Sequence, residues 1–138
     1  MIRAEVNQTL LESGQRFPIS KLSKILRLVS REVKAKKYTV SIAFVDNKTM
    51  RFANSVYRGK DSVTDVLSFP LTKDSGELLI SYSRASRQAK KIKHSAEKEI
   101  TFLIIHGLLH LFGYDHEKSK DAEKMFSLQT KILNRLCL

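Results

Sequence analysis

The run His106-Gly-Leu-Leu-His110-Leu-Phe-Gly113-Tyr-Asp-His116 lies in the most apolar part of the chain and decides how the rest is interpreted. It holds three of the four histidines, spaced H-x3-H-x2-G-x2-H. Residues four apart on an α-helix differ by about 40° around its axis, so His106 and His110 are predicted to project from one face. Gly113 can adopt the left-handed conformation that ends a helix, which lets the chain turn back and bring His116 towards the other two.

This spacing predicts a metal site. Three imidazole nitrogens, with a fourth position left to water, are the arrangement of catalytic zinc, whereas structural zinc usually has four protein ligands. The alternative is that each histidine is a hydrogen-bonded core residue, which is the commoner use of a single histidine on an apolar helix. Burying three imidazoles without partners would cost on the order of several kcal/mol. The cluster therefore favours one zinc ion per chain, bound by His106, His110 and His116.

The metzincin zinc peptidases have the same spacing, with one difference. Those enzymes carry a glutamate directly after the first histidine, where it is the general base that activates water. In this chain the position is Gly107, which cannot accept a proton. The pattern keeps the metal site and lacks the peptidase base, which indicates a different substrate.

The segment that carries the first two histidines is predicted to be a buried helix. Ser95 can cap its N-terminus, and Glu97 and Glu99 are favourably placed near its positive end. Apolar residues follow nearly all round the helix, so it needs cover on every side. It is predicted to end at Gly113.

Four short segments that precede this helix in the chain have the composition of β-strands and their alternation of apolar and polar residues. They are Ile2–Val6, Tyr38–Val45, Val66–Phe69 and Glu77–Ser81. Pro70 is predicted to stop the third strand, and the turn residues at 73–76 predict a hairpin between the third and fourth.

Further helices are predicted around these strands from apolar positions spaced three and four apart. One begins at Pro18 and runs to about Val33, a second is capped by Asp46 or Asn47 and runs to about Tyr57, and a basic helix spans the region 84–93. The last begins with Ser119 as its cap, and its predicted inward residues are Met125, Phe126, Leu128, Ile132, Leu133 and Leu136. The expected fold class is α+β: a single domain over residues 1–138, with a small mixed sheet of about four strands packed by helices. Its central buried helix carries the metal ligands, as in zincins.

The composition indicates which partners and which compartment to expect. The net charge of +11 favours polyanionic partners such as RNA, although plain solubility is an alternative use of charge. Both interpretations apply to the basic faces of the first and third helices. A single cysteine, Cys137, predicts no internal disulfide and hence a reducing cytoplasm. We expect neither export nor a membrane partner, because the chain opens without a signal peptide and has no apolar run near 20 residues.

Two long motifs, in the right order, resemble the YbeY family of bacterial endoribonucleases, which was formerly grouped as an uncharacterised zinc-metalloprotease-like family. The first is the histidine run quoted above. The second is Tyr57-Arg-Gly-Lys-Asp-Ser-Val-Thr-Asp-Val-Leu-Ser-Phe-Pro70, which is similar to the family's YR-x-K-D-x-x-T-D-V-L-S-F-P. Gly76-Glu-Leu-Leu-Ile-Ser81 also matches, except that Glu77 stands where the family commonly has Asp. The resemblance is clear over residues 38–116 and extends to the flanking helices only in pattern.

The resemblance implies a single-strand-specific, metal-dependent endoribonuclease. Its implied role is ribosomal RNA processing, notably 3′-end maturation of the small-subunit rRNA, together with ribosome quality control. Zinc would be the cofactor, and the small ribosomal subunit and its RNA would be the partners. Arg58 and the ligand His116 are the residues implied in catalysis; an arginine can hold the phosphate and the charge that builds on it.

Several other polar residues have two possible roles. Asp115 could orient an imidazole or brace a turn. Asp61 and Asp65 are expected to brace their loop rather than act as acids. Tyr114 could stack on a base or close the turn, and His94 is expected at the surface.

Two rival functions are compatible with the motifs. One is a zinc metallopeptidase that takes its base from elsewhere, against which Gly107 argues. The other is a non-catalytic ribosome-assembly factor in which zinc only braces the fold, against which the open fourth coordination position argues.

Overall fold

The computed structural model describes residues 1–60 and 62–136, so the roles predicted for Asp61 and Cys137 lie outside the described residues. Within them the chain forms a mixed sheet of four strands and five α-helices, as the sequence predicts. The likeness to zincins stays a prediction. None of the helices in these two ranges is long and apolar enough to cross a membrane.

The sheet has the strand order β1-β2-β4-β3. Strands β1 (Ile2–Asn7) and β4 (Ser75–Ser81) run parallel to β2 (Tyr38–Val45), and β3 (Val66–Thr72) runs antiparallel to β4. The predicted hairpin between the third and fourth strands is therefore confirmed. Alternate residues of β2 are buried, as expected for a strand whose two faces differ in their cover.

Strand β3 is longer than the sequence pattern indicates. It was expected to stop at Phe69, yet it continues through Pro70 to Thr72, with Pro70 opposite Gly76 and an irregular register just beyond. The prediction was wrong because β3 is an edge strand, where a missing N–H can face away from the ladder. Strand β4 correspondingly begins at Ser75 rather than at Glu77.

The first two helices begin close to their predicted starts. Helix α1 is Ile19–Val33, after a 3-10 turn at Ser13–Gln15 that the sequence pattern does not indicate. Helix α2 is Asn47–Arg58, and the side chain of its cap, Asp46, accepts a hydrogen bond from the main-chain N–H of Thr49. The helix was expected to run to about Tyr57, and it ends one residue later at Arg58, because the left-handed turn comes only at Gly59 (φ 67°).

Helix α4 (Ala96–Leu111) occupies the centre of the molecule. Ser95 caps it as predicted, and α4 packs against β3, β4, α1, α5 and α3 (Tyr82–Lys91). The close approach to β4 depends on Gly107: a Cβ at this position would lie 2.7 Å from Cδ2 of the buried Leu78. The central buried helix is thus confirmed.

Helix α5 (Ser119–Leu136) closes one side of α4. Ser119 is its first residue rather than its cap. Met125 and Ile132 are buried as predicted, but Phe126 is 69% exposed. The buried positions 125, 129 and 132 are spaced four and three apart, and Phe126 lies about 100° round the helix from Met125. The third buried residue is therefore Gln129, which the hydrophobic pattern does not reveal.

Candidate metal centre

The three histidines of the quoted run come together in space. His106 and His110 lie one turn apart on α4, and their Nε2 atoms are 3.1 Å apart. His116 belongs to the loop between α4 and α5, and one ring nitrogen from each of the three histidines lies within 4.8 Å of the others. These residues could hold a metal ion.

The loop that returns His116 is built from short local hydrogen bonds. Gly113 has φ 92°, and its main-chain N–H donates to the oxygen of His110 over 3.0 Å. The carboxylate of Asp115 accepts the main-chain N–H groups of His116 (2.6 Å) and Glu117 (3.3 Å). Asp115 therefore braces the turn next to a histidine of the cluster, and its negative charge also acts on His110, whose pKa it raises.

The histidines of α4 are held in the form that binds metals. Burial, followed by the neighbouring His110 and His116, lowers the pKa of His106 to about 4. Burial and the charge of His116 likewise lower the pKa of His110, and Arg58 acts in the same direction. Both imidazoles are therefore neutral near pH 7, with a lone pair available for a cation.

The distance between the first two histidines suits a zinc ion. Two zinc–nitrogen bonds of about 2.0–2.1 Å at the tetrahedral angle place their nitrogens about 3.3 Å apart. The 3.1 Å between the Nε2 atoms of His106 and His110 is close to this value. Two neutral imidazole nitrogens facing each other so closely are suited to sharing one electrophile, either a proton or a metal ion.

A glutamine contacts the cluster from α5. The side-chain amide of Gln129 lies 2.8 Å from Nδ1 of His106, and the residue is 3% exposed. Sequence reasoning missed Gln129. The available signal was a polar residue spaced four after Met125 and three before Ile132 on the buried face of an amphipathic helix, since buried polar side chains nearly always have a partner.

The cluster opens into a cleft of about 890 Å³. Its walls include the three histidines, Arg58, Tyr114 and the segment 62–68. Arg58 is exposed, and its Nη2 donates to the main-chain oxygen of Ser68 over 3.4 Å. The two residues implied in catalysis, Arg58 and His116, thus line the same cleft.

A smaller basic cavity adjoins this cleft. It has a volume of about 260 Å³ and is lined on one side by Arg84, Arg87 and Lys91 of α3. Its other side is residues 63–65, which also line the main cleft. Asp65 braces this shared wall, because its carboxylate accepts the main-chain N–H of Val66 over 2.8 Å. His94 lies at the surface, as predicted.

Comparison with known proteins gives a consistent result. The family model described as Endoribonuclease YbeY matches residues 7–137. A protein named Endoribonuclease YbeY from Clostridioides difficile (strain 630) is 43% identical over 110 residues, covering 72% of this chain and 72% of the relative. One of the same name from Ureaplasma parvum serovar 3 is 44% identical over 130 residues, covering 89% and 81%.

A solved structure agrees with the sequence relatives. The solution structure of TM1509 from Thermotoga maritima superposes with a TM-score of 0.69 at 31% sequence identity. The match covers 99% of this chain and 89% of that one. The similarity therefore extends over the sheet and over the helix and loop that carry the histidine cluster.

Proposed function

This chain belongs to the YbeY family of endoribonucleases, and on that premise we propose that it is a zinc-dependent enzyme that cleaves single-stranded RNA. The observation that carries the proposal is the convergence of three histidine nitrogens in an open cleft. A bracing metal is normally enclosed by four protein ligands, whereas three ligands facing a cleft leave room for a substrate.

His106, His110 and His116 hold one zinc ion per chain. When bound, zinc supplies Lewis acidity at the scissile phosphate and lowers the pKa of water towards neutrality. The contribution of α4 is to present two imidazoles one turn apart in their neutral form, and the loop braced by Asp115 adds the third. His116 is exposed and lines the cleft, so a substrate bound there can reach it.

Arg58 binds the phosphate that is cleaved. It lines the same cleft as the histidines, and its positive charge contributes least among the causes that lower the pKa of His110, after burial and His116. A guanidinium can form paired, charge-assisted hydrogen bonds with phosphate oxygens and stabilise the charge that develops during cleavage.

The RNA backbone continues from the metal centre along α3. The cavity lined by Arg84, Arg87 and Lys91 shares the wall 63–65 with the main cleft, so one strand can occupy both. A run of positive side chains binds phosphates independently of base sequence. The net charge of +11 supports a polyanionic substrate in the same way.

The finer biological assignment rests on the family resemblance. The substrate is ribosomal RNA, processed at the 3′ end of the small-subunit rRNA, and the enzyme also serves ribosome quality control. Its partner is then the small ribosomal subunit and its compartment the cytoplasm. We keep the prediction that residues 1–138 form one domain, which is supported by a main core cluster with members from Ile2 to Ile132.

The structure bears on the metallopeptidase alternative through Gly107. The position that holds the catalytic glutamate in metzincins packs here against Leu78 of β4. A longer side chain at this position would collide with the buried side chain of Leu78 unless the core repacked, which argues against a peptidase base here.

The proposed function is tested by offering the zinc-loaded protein three substrates: a labelled single-stranded RNA, a duplex of the same sequence and an unstructured peptide. We expect cleavage of the single strand, its loss on chelation and its return with zinc. Cleavage of the peptide with both RNAs intact would support the peptidase alternative. No cleavage of any substrate by folded, zinc-loaded protein would support the assembly-factor alternative.

A further inference from the structure

Gln129 contacts the proposed metal centre through the ring nitrogen of His106 that does not face His110. The two nitrogens of this imidazole have different neighbours: Nε2 lies 3.1 Å from Nε2 of His110, and Nδ1 lies 2.8 Å from the amide of Gln129. Nε2 is therefore the nitrogen that can bind a metal, and Nδ1 is the nitrogen that contacts the protein.

The orientation of the amide corresponds to a metal-free imidazole. Nε2 of Gln129 faces Nδ1 of His106, so the amide N–H donates and Nδ1 accepts. The ring proton is then on Nε2 of His106, where it can be donated to His110. Oε1 of Gln129 is buried and has no hydrogen-bond partner among residues 1–60 and 62–136.

Metal binding changes the partner that Nδ1 of His106 needs: a hydrogen-bond acceptor instead of a donor. A neutral imidazole that binds zinc through Nε2 carries its proton on Nδ1, which then needs an acceptor. A glutamine amide has a donor and an acceptor at opposite ends of one planar group. Rotating it by half a turn replaces the N–H that donates to Nδ1 with the carbonyl oxygen that accepts from it.

We propose that Gln129 is a positioning residue for the metal centre: its Oε1 accepts the Nδ1 proton of His106 when zinc is bound, and its amide turns over when zinc leaves. This inference rests on the proposed function. The amide thereby fixes both the ring orientation and the tautomer that leaves a lone pair on Nε2.

Helix α5 is held firmly enough for this role. Its Lys131 and Arg135 pair with Glu32 of α1 at 3.1 and 3.3 Å, and Ile132 is fully buried three residues after Gln129. Because α5 forms ion pairs with α1 and packs on α4, the backbone of Gln129 has a defined position from which its amide reaches His106.

The test compares zinc affinities, measured by competition with a chromophoric chelator under conditions where each variant is folded. Gln129→Met keeps the length of the side chain and removes the acceptor, and we expect zinc to bind about 10- to 100-fold more weakly. Gln129→Glu restores an acceptor and is expected to return the affinity to within about tenfold of wild type. Ile132→Val is the matched control: it weakens packing on the same helix face and should leave the zinc affinity unchanged.

A second measurement needs no variant. Long-range ¹H–¹⁵N spectra of the zinc-loaded wild type should show the proton of His106 on Nδ1, protected from exchange with solvent. Zinc-loaded protein with that proton on Nε2, or Gln129→Met with wild-type affinity, would overturn the inference and leave the proposed function intact. Absence of zinc binding by the wild type would overturn both.

Discussion

The guanidinium of Arg58 donates from Nη2 to the main-chain oxygen of Ser68, 3.4 Å away, and so ties the end of α2 to strand β3. This contact places the arginine in the wall of the cleft that the three histidines also line. The side chain is exposed, so its substitution should have little effect on the core.

Replacing Arg58 should separate catalysis from metal binding. We expect RNA cleavage by Arg58→Ala to fall about 10²- to 10³-fold, which is the typical effect of losing one preorganised donor to the transition state. The cleavage rate of Arg58→Lys should fall by a similar factor, because an ammonium cannot make the paired hydrogen bonds of a guanidinium. Single-turnover cleavage rates, with zinc content and melting temperature on the same samples, check this.

Arg3→Ala is the control for this prediction, since Arg3 is an exposed arginine on strand β1. It should keep the wild-type rate. Near-wild-type cleavage by folded, zinc-loaded Arg58→Ala would remove Arg58 from the active site, and a large loss of stability would mark it as structural.

Each histidine of the cluster should be needed for tight zinc binding. His106→Ala, His110→Ala and His116→Ala should all have strongly reduced zinc content by elemental analysis. His94→Ala is the control, because His94 is exposed and outside the cluster, and it should keep one ion per chain. Full occupancy in His110→Ala would contradict the assignment.

Zinc should also stabilise the fold. A ligand that binds only the folded form, at a free concentration one hundred times its dissociation constant, adds about 2.7 kcal/mol to the free energy of unfolding. Chelation should therefore lower the melting temperature of the wild type and leave that of His110→Ala nearly unchanged. Equal shifts in the two proteins would show that the chelator acts elsewhere.

RNA binding should weaken steeply with salt. If Arg84 and Arg87 contact the backbone, each contact contributes a slope of about −0.7 in log K against log salt on a single strand. Fluorescence anisotropy with a labelled single-stranded RNA, in the presence of chelator to prevent cleavage, measures this slope. Arg84→Ala and Arg87→Ala should each make it shallower, whereas Lys73→Ala in the β3–β4 turn should not. The same slope in all four proteins would mean that the basic residues of α3 are only solvated and do not contact the RNA.

Glu99 should make stability depend on pH. Burial, with a contribution from the charge of Asp65, raises the pKa of this carboxyl in the folded protein. The folded state therefore holds the proton more tightly than the unfolded state, and the stability that this provides is lost as pH rises through the folded pKa. Glu99→Gln stays neutral, so its melting temperature should exceed that of the wild type at pH 7 and lose this advantage towards pH 4.

Thermal unfolding of both proteins in chelator, from pH 4 to 7, isolates the effect of Glu99 from metal release. Glu123→Gln, an exposed change of the same kind on α5, should give a difference from wild type that does not vary with pH. A wild type that is more stable than Glu99→Gln at pH 7 would show that the buried carboxylate has a favourable partner.

Local patterns predicted most of the elements. The strands follow from alternation, and α4 follows from its cap and its apolar surface. The approach of His106 to His110 follows from helical geometry, and that of His116 from a glycine able to take φ 92°. These features depend on residues near one another in sequence, so they can be predicted from a sequence pattern.

The features that were missed depend on contacts between distant segments. Pro70 is tolerated because β3 is an edge strand, and the strand order sets that. Phe126 was expected inside, but α5 turns Gln129 towards His106 of α4 instead.

Titrating zinc into the metal-free protein tests the central claim most directly. The initial rate of cleavage of a 5′-labelled single-stranded RNA is measured as zinc is added from none to about two equivalents per chain, with His110→Ala in parallel. Cleavage by the wild type should rise in proportion to zinc, level off at one ion per chain, and stay at background in His110→Ala. Full cleavage by the metal-free wild type, or an equal zinc response in His110→Ala, would contradict the account.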